Sequence, residues 1–261
     1  MRIRLPRRLP SRPPPTPPGP GPVVFLLPAR NEEKTVADVV ARIPNEVDGH
    51  RRVIKIVVDD GSTDGTADAA RTAGAEVVST PGLGLGAAVR LGLADALRRG
   101  AAAVAFCDAD GEYAPEELER MVLPILAGRA EYVVGSRFAG SIDRMHPHRR
   151  LGNRLLTYML AWVAREPISD GQSGYRALSA NAAKLAEIRH DYNYAQVLTL
   201  DLLAKGFRYA EVPISYSFRK TGRSFVRPGR YLRCVVPTVW RHLHRPAPPA
   251  DADAPPAVPA R

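Results

Sequence analysis

Between residues 23 and 136 short apolar runs alternate with helix-like segments, and that alternation leaves few architectures open to the chain. VVFLL (23–27), VIKIVV (53–58), AEVVS (75–79), AAAVAFC (101–107) and EYVVGS (131–136) read as strands. They are near-continuous rather than alternating, as expected of strands covered on both faces. The segments between them predict helices from about Glu32 to Arg42, over 66–74, over 86–100 and over 115–126, with Gly74 and Gly100 as stops. Strand–helix repetition of this kind predicts an α/β fold: a Rossmann-like, mainly parallel central sheet flanked by helices and built from right-handed crossovers. After residue 150 the pattern changes. A helix that is apolar nearly all round is expected at 151–165, further helices at about 179–189 and 194–205, an alternating, half-exposed strand at 212–218, and a candidate helix at 231–245. This second part reads as an elaboration on the first, with no linker between them.

Composition shifts sharply at both ends. Residues 1–22 hold nine prolines and five arginines without an acid, which predicts a disordered or polyproline II tail. Residues 246–261 alternate proline, alanine and aspartate and predict a second tail, leaving 23–245 as the folded body. The net charge of +10 is concentrated outside the main body: residues 212–245 carry eight Lys/Arg and no acid. Such asymmetry points to an anionic ligand or surface, and nucleic acid, acidic lipid and plain solvent are all compatible with charge alone. The two cysteines, Cys107 and Cys234, can supply neither a disulfide framework nor a four-ligand zinc site, and imply a reducing compartment. No apolar run approaches the roughly 18–20 residues of a spanning helix. The basic N-terminus leads into prolines rather than the apolar core of a secretory leader.

Ligands of open parallel sheets sit beyond the carboxyl ends of the strands. Three of those ends are unusually polar here: PARNEE (28–33), DDGSTDGT (59–66) and DADGE (108–112). Asp108 and Asp110, two residues apart in extended chain, point the same way and repel unless a cation lies between them. Hard oxygen donors of this kind suit Mg²⁺ or Mn²⁺, completed by water and substrate phosphate, with Glu112 as a third candidate ligand. The same residues also suit a turn in which Asp108 and Asp110 accept backbone N–H groups around Gly111. In DDGSTDGT, Asp59 or Asp60 can accept hydrogen bonds from a ribose or base, while Ser62 or Asp64 can cap the next helix. GLGLGAAVRLG (82–92) is glycine-rich and opens a helix, so it can approach a phosphate, though it lacks the strand and acidic partner of a dinucleotide fingerprint.

LLPARNEE, VVDDGSTDGT, GLGLGAA, FCDADGEY, VVGSRF and SDGQSGYRAL, in this order and spacing, resemble the family 2 glycosyltransferases of the GT-A fold over roughly residues 23–226. Within that family the chain is most similar to the dolichol- or polyprenyl-phosphate hexose synthases of mannosyl and glucosyl type. The resemblance implies a single GT-A domain over 23–245, with a nucleotide-sugar half (23–136), an acceptor half (137–230) and a membrane-surface helix (231–245). It implies an inverting transfer from a nucleoside diphosphate sugar with Mg²⁺ or Mn²⁺. Carried over by position, Pro28, Ala29, Arg30, Glu32, Asp59, Asp60, Gly84, Asp108 and Ala109 would bind the donor. Asp108, Asp110 and Glu112 would bind metal. Arg137, Arg150, Asn153 and Arg223 would hold an acceptor phosphate, and Asp110, Arg137 and Asp170 would carry catalysis. Arg30 stands where many members have Tyr, and Glu112 where many have Gln.

The nature of the acceptor separates the remaining readings. A sugar hydroxyl needs a general base beside the reacting carbon, and Asp170 is the residue that could serve. A lipid monophosphate is already anionic at neutral pH and needs a cationic cradle instead, for which the arginines after DADGE suffice. The leading expectation is therefore transfer to polyprenyl phosphate by a peripheral enzyme on the cytoplasmic membrane face, with Trp162, Tyr158 and their leucine neighbours in an interfacial helix. Transfer to a saccharide or small-molecule hydroxyl with Asp170 as base is the alternative. A non-enzymatic basic module for membrane or nucleic acid is a third reading. It leaves the acidic strand ends unexplained and lacks interleaved stacking aromatics, so no nucleic-acid partner is expected.

Overall fold

The computed structural model describes residues 17–191 and 194–218. Strand β1 (Val23–Ala29) is buried along its whole length. It lies between two parallel neighbours, β3 (Arg51–Asp60) and β5 (Ala103–Phe106), in a register that pairs Ala29 with Asp59 and Leu26 with Phe106. Strand β4 (Glu76–Thr80) extends the parallel set beyond β3 and pairs Thr80 with Asp60. The two-residue β2 (Glu46–Val47) pairs antiparallel with the start of β3. Beyond β5 a single strand runs the other way. Strand β7 (Arg176–Ser179) runs antiparallel between β5 and β6 (Tyr132–Ile142), and β8 (Tyr209–Tyr216) pairs parallel with β6. The order is β2-β3-β1-β5-β7-β6-β8, with β4 also on β3. The carboxyl ends of β1, β3, β5, β6 and β8 and the amino end of β7 therefore share one edge, and every polar motif of the sequence lies there.

The strand period of two sorts the apolar side chains between the faces of the sheet. Val23, Phe25 and Leu27 of β1 join one core and Val24 and Leu26 the other. Helices α1 (Val36–Arg42), α2 (Thr66–Thr72) and α4 (Leu118–Leu126) cover the first face through residues such as Val39, Ala70 and Met121. Helices α3 (Leu85–Arg98), α6 (Ala180–Leu185) and α7 (Ala195–Ala204) cover the second through Val89, Ala182 and Leu198. Residues 195–202 are buried throughout, the polar Gln196, Thr199 and Asp201 included. A long α5 (Pro147–Ala164) rests on α7 through Leu160, Val163 and Leu200. Burial of each large aliphatic or phenyl side chain contributes about 1.5–3 kcal/mol, against about 1 kcal/mol for a side-chain cap. Among the described helices only α6 has such an N-cap bond, from Ala182 N–H to Ser179. Packing on the sheet, not capping, fixes these helices.

Several boundaries move from their expected places. Helix α1 starts at Val36, because Glu32 to Thr35 form a turn in which the Val36 N–H reaches the Glu32 carbonyl at 2.9 Å. Helix α5 starts at Pro147, four residues early, with proline at its first turn. Residues 17–22, counted in the N-terminal tail by composition, lie beside the sheet: the Ala102 N–H donates to the Pro22 carbonyl at 2.8 Å, and the Arg51 guanidinium donates to the Gly21 carbonyl at 2.6 Å. The rest of both expected tails, the candidate helix at 231–245 and Arg223 lie outside the described residues.

Candidate active site

At the tip of β3 the two aspartates divide the work. Asp60 is buried, and both of its oxygens are used by the chain: Oδ1 accepts from the Thr80 hydroxyl and the Leu83 N–H, each at 2.7 Å, and Oδ2 accepts from the Gly84 N–H at 2.8 Å. The exposed Arg30 guanidinium lies 3.9 Å from the same Oδ2. Asp59 makes one such bond, accepting from the Ser62 N–H at 3.2 Å. Asp60 therefore folds the glycine loop onto β3, and Asp59 is the better placed of the two for a nucleoside. The loop is held from the other side as well, where the Gly86 N–H donates to the Asp191 carbonyl at 3.0 Å. The Gly84 amide, expected at the donor, is bonded to Asp60 within the chain. The φ of 102° there and an Asp191 carbonyl only 2.6 Å from where a Cβ would stand explain the glycine.

Pro28 and Ala29 are buried at the end of β1, and the PARNEE segment that follows ties the tips of β3 and β5 together. The Glu32 N–H donates to the Thr66 hydroxyl at 2.9 Å, and the Thr35 hydroxyl donates to the Ala109 carbonyl at 2.9 Å, 74 residues away. Asp108 and Asp110 flank the buried Ala109 and are half-buried themselves. Gly174 lets Asp108 approach closely, since a Cβ at 174 would fall 2.8 Å from Asp108 Oδ2. Asp110 Oδ1 accepts from the Glu112 N–H at 3.1 Å around Gly111, whose φ is 76°. The turn expected of Asp110 is therefore formed. Glu112, the third candidate ligand, accepts through Oε2 from the Tyr216 hydroxyl at 2.8 Å. Among the described residues no three His, Cys, Asp or Glu side chains converge as a metal cage. Two hard carboxylates without a third suit a cation shared with a diphosphate and water better than one enclosed by protein.

The largest departure from expectation concerns Arg137 and Asp170. Arg137 Nε donates to Asp170 Oδ2 at 2.7 Å, Nη2 to Oδ1 at 2.9 Å, and the Arg137 backbone N–H to Oδ2 at 3.1 Å. Asp170 is fully buried and Arg137 nearly so. Burial alone disfavours the Arg137 charge, but Tyr113 and the Asp170 carboxylate outweigh it and raise the pKa. Both Asp170 oxygens are thus engaged by the Arg137 guanidinium inside the protein. The Arg137 guanidinium, which also lies 5.1 Å over the Tyr216 ring, is not presented to an acceptor phosphate. The pair instead fixes the 169–174 loop beside the DADGE turn. Glu211 on β8 holds that loop by accepting from the Ser169 and Asp170 amides at 2.9 and 3.2 Å. Tyr113 holds it from below, its hydroxyl accepting from the Gly174 N–H at 2.7 Å. Arg176, at the start of β7, is fully buried and donates to the carbonyls of Ser173 and Ala195 at 2.9 and 2.7 Å.

Arg150 and Asn153 lie in the first two turns of α5, and among the described residues no hydrogen bond or ion pair links their side chains to the strand tips. Tyr113, Glu211 and Tyr216 were not anticipated. Tyr113 follows directly on DADGE, and Tyr216 falls on the buried phase of the alternating 212–218 segment, so both had a signal; Glu211 had none.

The sequence model of glycosyl transferase family 2 matches residues 24–185, more than half of the chain and all of the strand tips just described except β8. The chain belongs to glycosyl transferase family 2. Among curated relatives, glycosyltransferase AglJ of Haloferax volcanii is 33% identical over 208 residues, which cover 78% of this chain but only 65% of that relative. A polyprenol monophosphomannose synthase of Mycolicibacterium smegmatis is 34% identical over 215 residues, covering 77% of this family 2 chain and 79% of the synthase. Among solved structures, glucosyl-3-phosphoglycerate synthase from Mycobacterium tuberculosis, in complex with Mn²⁺, UDP-glucose and phosphoglyceric acid, superposes with a TM-score of 0.70 at 26% identity. It covers 87% of this chain, and this chain covers 81% of it. The expected GT-A fold, a mainly parallel sheet with an elaboration after the fifth parallel strand, is thereby borne out.

Proposed function

We propose that this family 2 chain moves a hexose, with inversion, from a nucleoside diphosphate sugar of GDP-mannose or UDP-glucose type to a polyprenyl phosphate. The observation that carries the choice of acceptor is the buried ion pair. A hydroxyl acceptor requires a base at the reacting carbon, and the carboxylate offered for that role has both oxygens on Arg137. A phosphate monoester, with a second pKa near 6, arrives already ionised. Its oxygen attacks the anomeric carbon as the bond from that carbon to the donor diphosphate breaks, and the nucleoside diphosphate leaves with the electron pair. The relationship to a polyprenol monophosphomannose synthase supports the same acceptor class.

In this reading Asp59 accepts a hydrogen bond from the nucleoside, and the PARNEE turn with Arg30 and Glu32 forms the donor rim. Asp108 and Asp110 are the residues to hold a divalent cation, Mg²⁺ or Mn²⁺. When bound, such a cation supplies positive charge to the departing diphosphate. Arg150 and Asn153, with Arg223 outside the described residues, are assigned to the acceptor phosphate; Arg137 and Asp170 position the loop between the two substrates. A lipid acceptor puts the reaction at a membrane, and a nucleotide-sugar donor puts it on the cytoplasmic face. Among the described residues no helix is long and apolar enough to cross a bilayer.

A second reading has one specific observation behind it: the solved relative holds phosphoglyceric acid beside UDP-glucose. The acceptor would then be a small phosphorylated acid whose hydroxyl attacks the anomeric carbon as the nucleoside diphosphate leaves. A turnover assay decides. The purified chain, with Mn²⁺ and a panel of nucleotide sugars, is expected to glycosylate a short-chain polyprenyl phosphate. Turnover on phosphoglycerate or a saccharide hydroxyl with none on any polyprenyl phosphate would overturn the lipid acceptor and leave the family assignment intact.

A further inference from the structure

Helix α5 has two apolar faces, and only one is accounted for. Leu160 and Val163 point into the small core shared with Leu200 of α7. Leu151, Leu155, Tyr158, Met159 and Trp162 form a second stripe, at i, i+4, i+7, i+8 and i+11, and are 52–72% exposed. On a helix of 3.6 residues per turn these five fall within about 100° of arc. Scattered exposed apolar residues need no explanation, but a contiguous row that includes Trp and Tyr marks an interaction surface. Its surroundings restrict the partner. From residue 147 to 165 there is no acid, and Arg150, Arg154 and Arg165 run along one border of the stripe. At the start of the helix, Arg149 lies 5.6 Å from the Phe218 ring and His146 makes an edge contact with it at 5.0 Å. Phe218, beside this helix, is the last described residue, and the sequence after it carries eight Lys/Arg over 219–245 without an acid.

We propose that the exposed stripe of α5 seats on the surface of an anionic bilayer, with its apolar side chains in the headgroup–acyl boundary and its arginines on lipid phosphates. The alternatives fit less well. A second copy of the chain would bring two basic borders together, and residues 231–245 of the same chain are themselves basic; an anionic surface complements both. Tyr and Trp, apolar in body and polar at one edge, suit the boundary layer, and mixed apolar and cationic contact is what interfacial helices use. This goes beyond the reaction proposed above and rests on it only for a reason to visit a membrane.

The test is vesicle co-sedimentation of the full chain without donor or acceptor. Binding is expected to vesicles of equal parts phosphatidylglycerol and phosphatidylcholine, to weaken with added salt, and to be slight on phosphatidylcholine alone. A Leu155→Asp, Tyr158→Asp, Trp162→Asp variant and a separate Arg154→Glu, Arg165→Glu variant should each weaken binding by about tenfold or more. In a Trp240→Phe chain, Trp162 emission should shift to the blue on adding the anionic vesicles. Absence of binding, binding that neither variant changes, or an unshifted Trp162 would overturn the proposal. So would a concentration-dependent dimer abolished by the apolar variant, since a second copy would then be the occupant. Transfer to short-chain acceptor in detergent should be the same in both variants, so failure of the surface and failure of the reaction are read separately.

Discussion

Arg137 and Asp170 bring opposite charges into a place almost without water, and the two stand or fall together. Replacing one member of such a pair leaves an uncompensated charge, at a cost of about 3–5 kcal/mol. Asp110 is a different case: it is half-buried, and its hydrogen bond from the Glu112 backbone amide is of a kind worth only about 1 kcal/mol. Function should order the two residues the other way. Asp170→Asn is expected to lower stability by about 3–5 kcal/mol in urea unfolding, while turnover per folded molecule falls less than about tenfold. The loss of a general base would instead remove about two to four orders of magnitude. Asp110→Asn is expected to unfold at nearly the parental urea concentration and to lose the Mn²⁺-dependent rise in melting temperature that a nucleotide sugar produces. An Asp170→Asn enzyme that is stable and dead would restore the base and the hydroxyl acceptor with it. Asp110 was visible in the sequence as a strand-end carboxylate, and Asp170 through the SDGQSGYRAL segment of the family resemblance. That Asp170 faces Arg137 was not, because the two sit 33 residues apart and meet only after β7 has reversed the sheet.

Element by element, the parallel half was legible because its signal is local. A continuous apolar run between polar turns looks like a doubly covered strand whatever its neighbours do. Strand β7 escaped because RALS is four residues long and begins with an arginine. Nothing in the sequence says that this guanidinium will be buried under α7, with the carbonyls of Ser173 and Ala195 as acceptors. The glycine loop was half legible. Its composition suggested close approach to a phosphate, whereas the close approach is to chain: a Cβ on Gly86 would stand 1.9 Å from the His190 carbonyl oxygen, a backbone atom with no rotamer to relieve the clash. Gly86→Ala is expected to cost about 1–3 kcal/mol through displacement of α3 from the 188–191 segment, as overpacking does. The displaced loop should also release the Asp60 side of the donor rim, raising the KM for nucleotide sugar more than it lowers kcat. A variant as stable as the parent would mean that the two segments part without consequence.

At the scale of the molecule, what joins donor half to acceptor half is one antiparallel strand. Strand β7, from the acceptor half, pairs with β5 on one side and with β6 on the other, so the sheet runs through it without an edge. The cores follow the sheet. One holds Val23 and Val57 from the first half together with Tyr175, Ala177 and Ile214 from the second; the other holds Leu26 and Ile56 together with Leu178 and Leu198. Neither half can open without exposing apolar surface of the other, and opening β7 alone would strip ladder bonds from both. The tyrosines report on this junction, since Tyr113 makes edge contacts with Tyr175 and Tyr216, and Tyr175 with Phe25 of β1. The expectation is one cooperative transition, in which loss of the near-ultraviolet tyrosine signal coincides with loss of far-ultraviolet secondary structure across a urea titration. Two separated transitions would show that the halves fold as independent units and that β7 is a hinge between domains rather than a seam within one. In that case the alignment of strand tips on which donor and acceptor meet would have to be set by the substrates themselves.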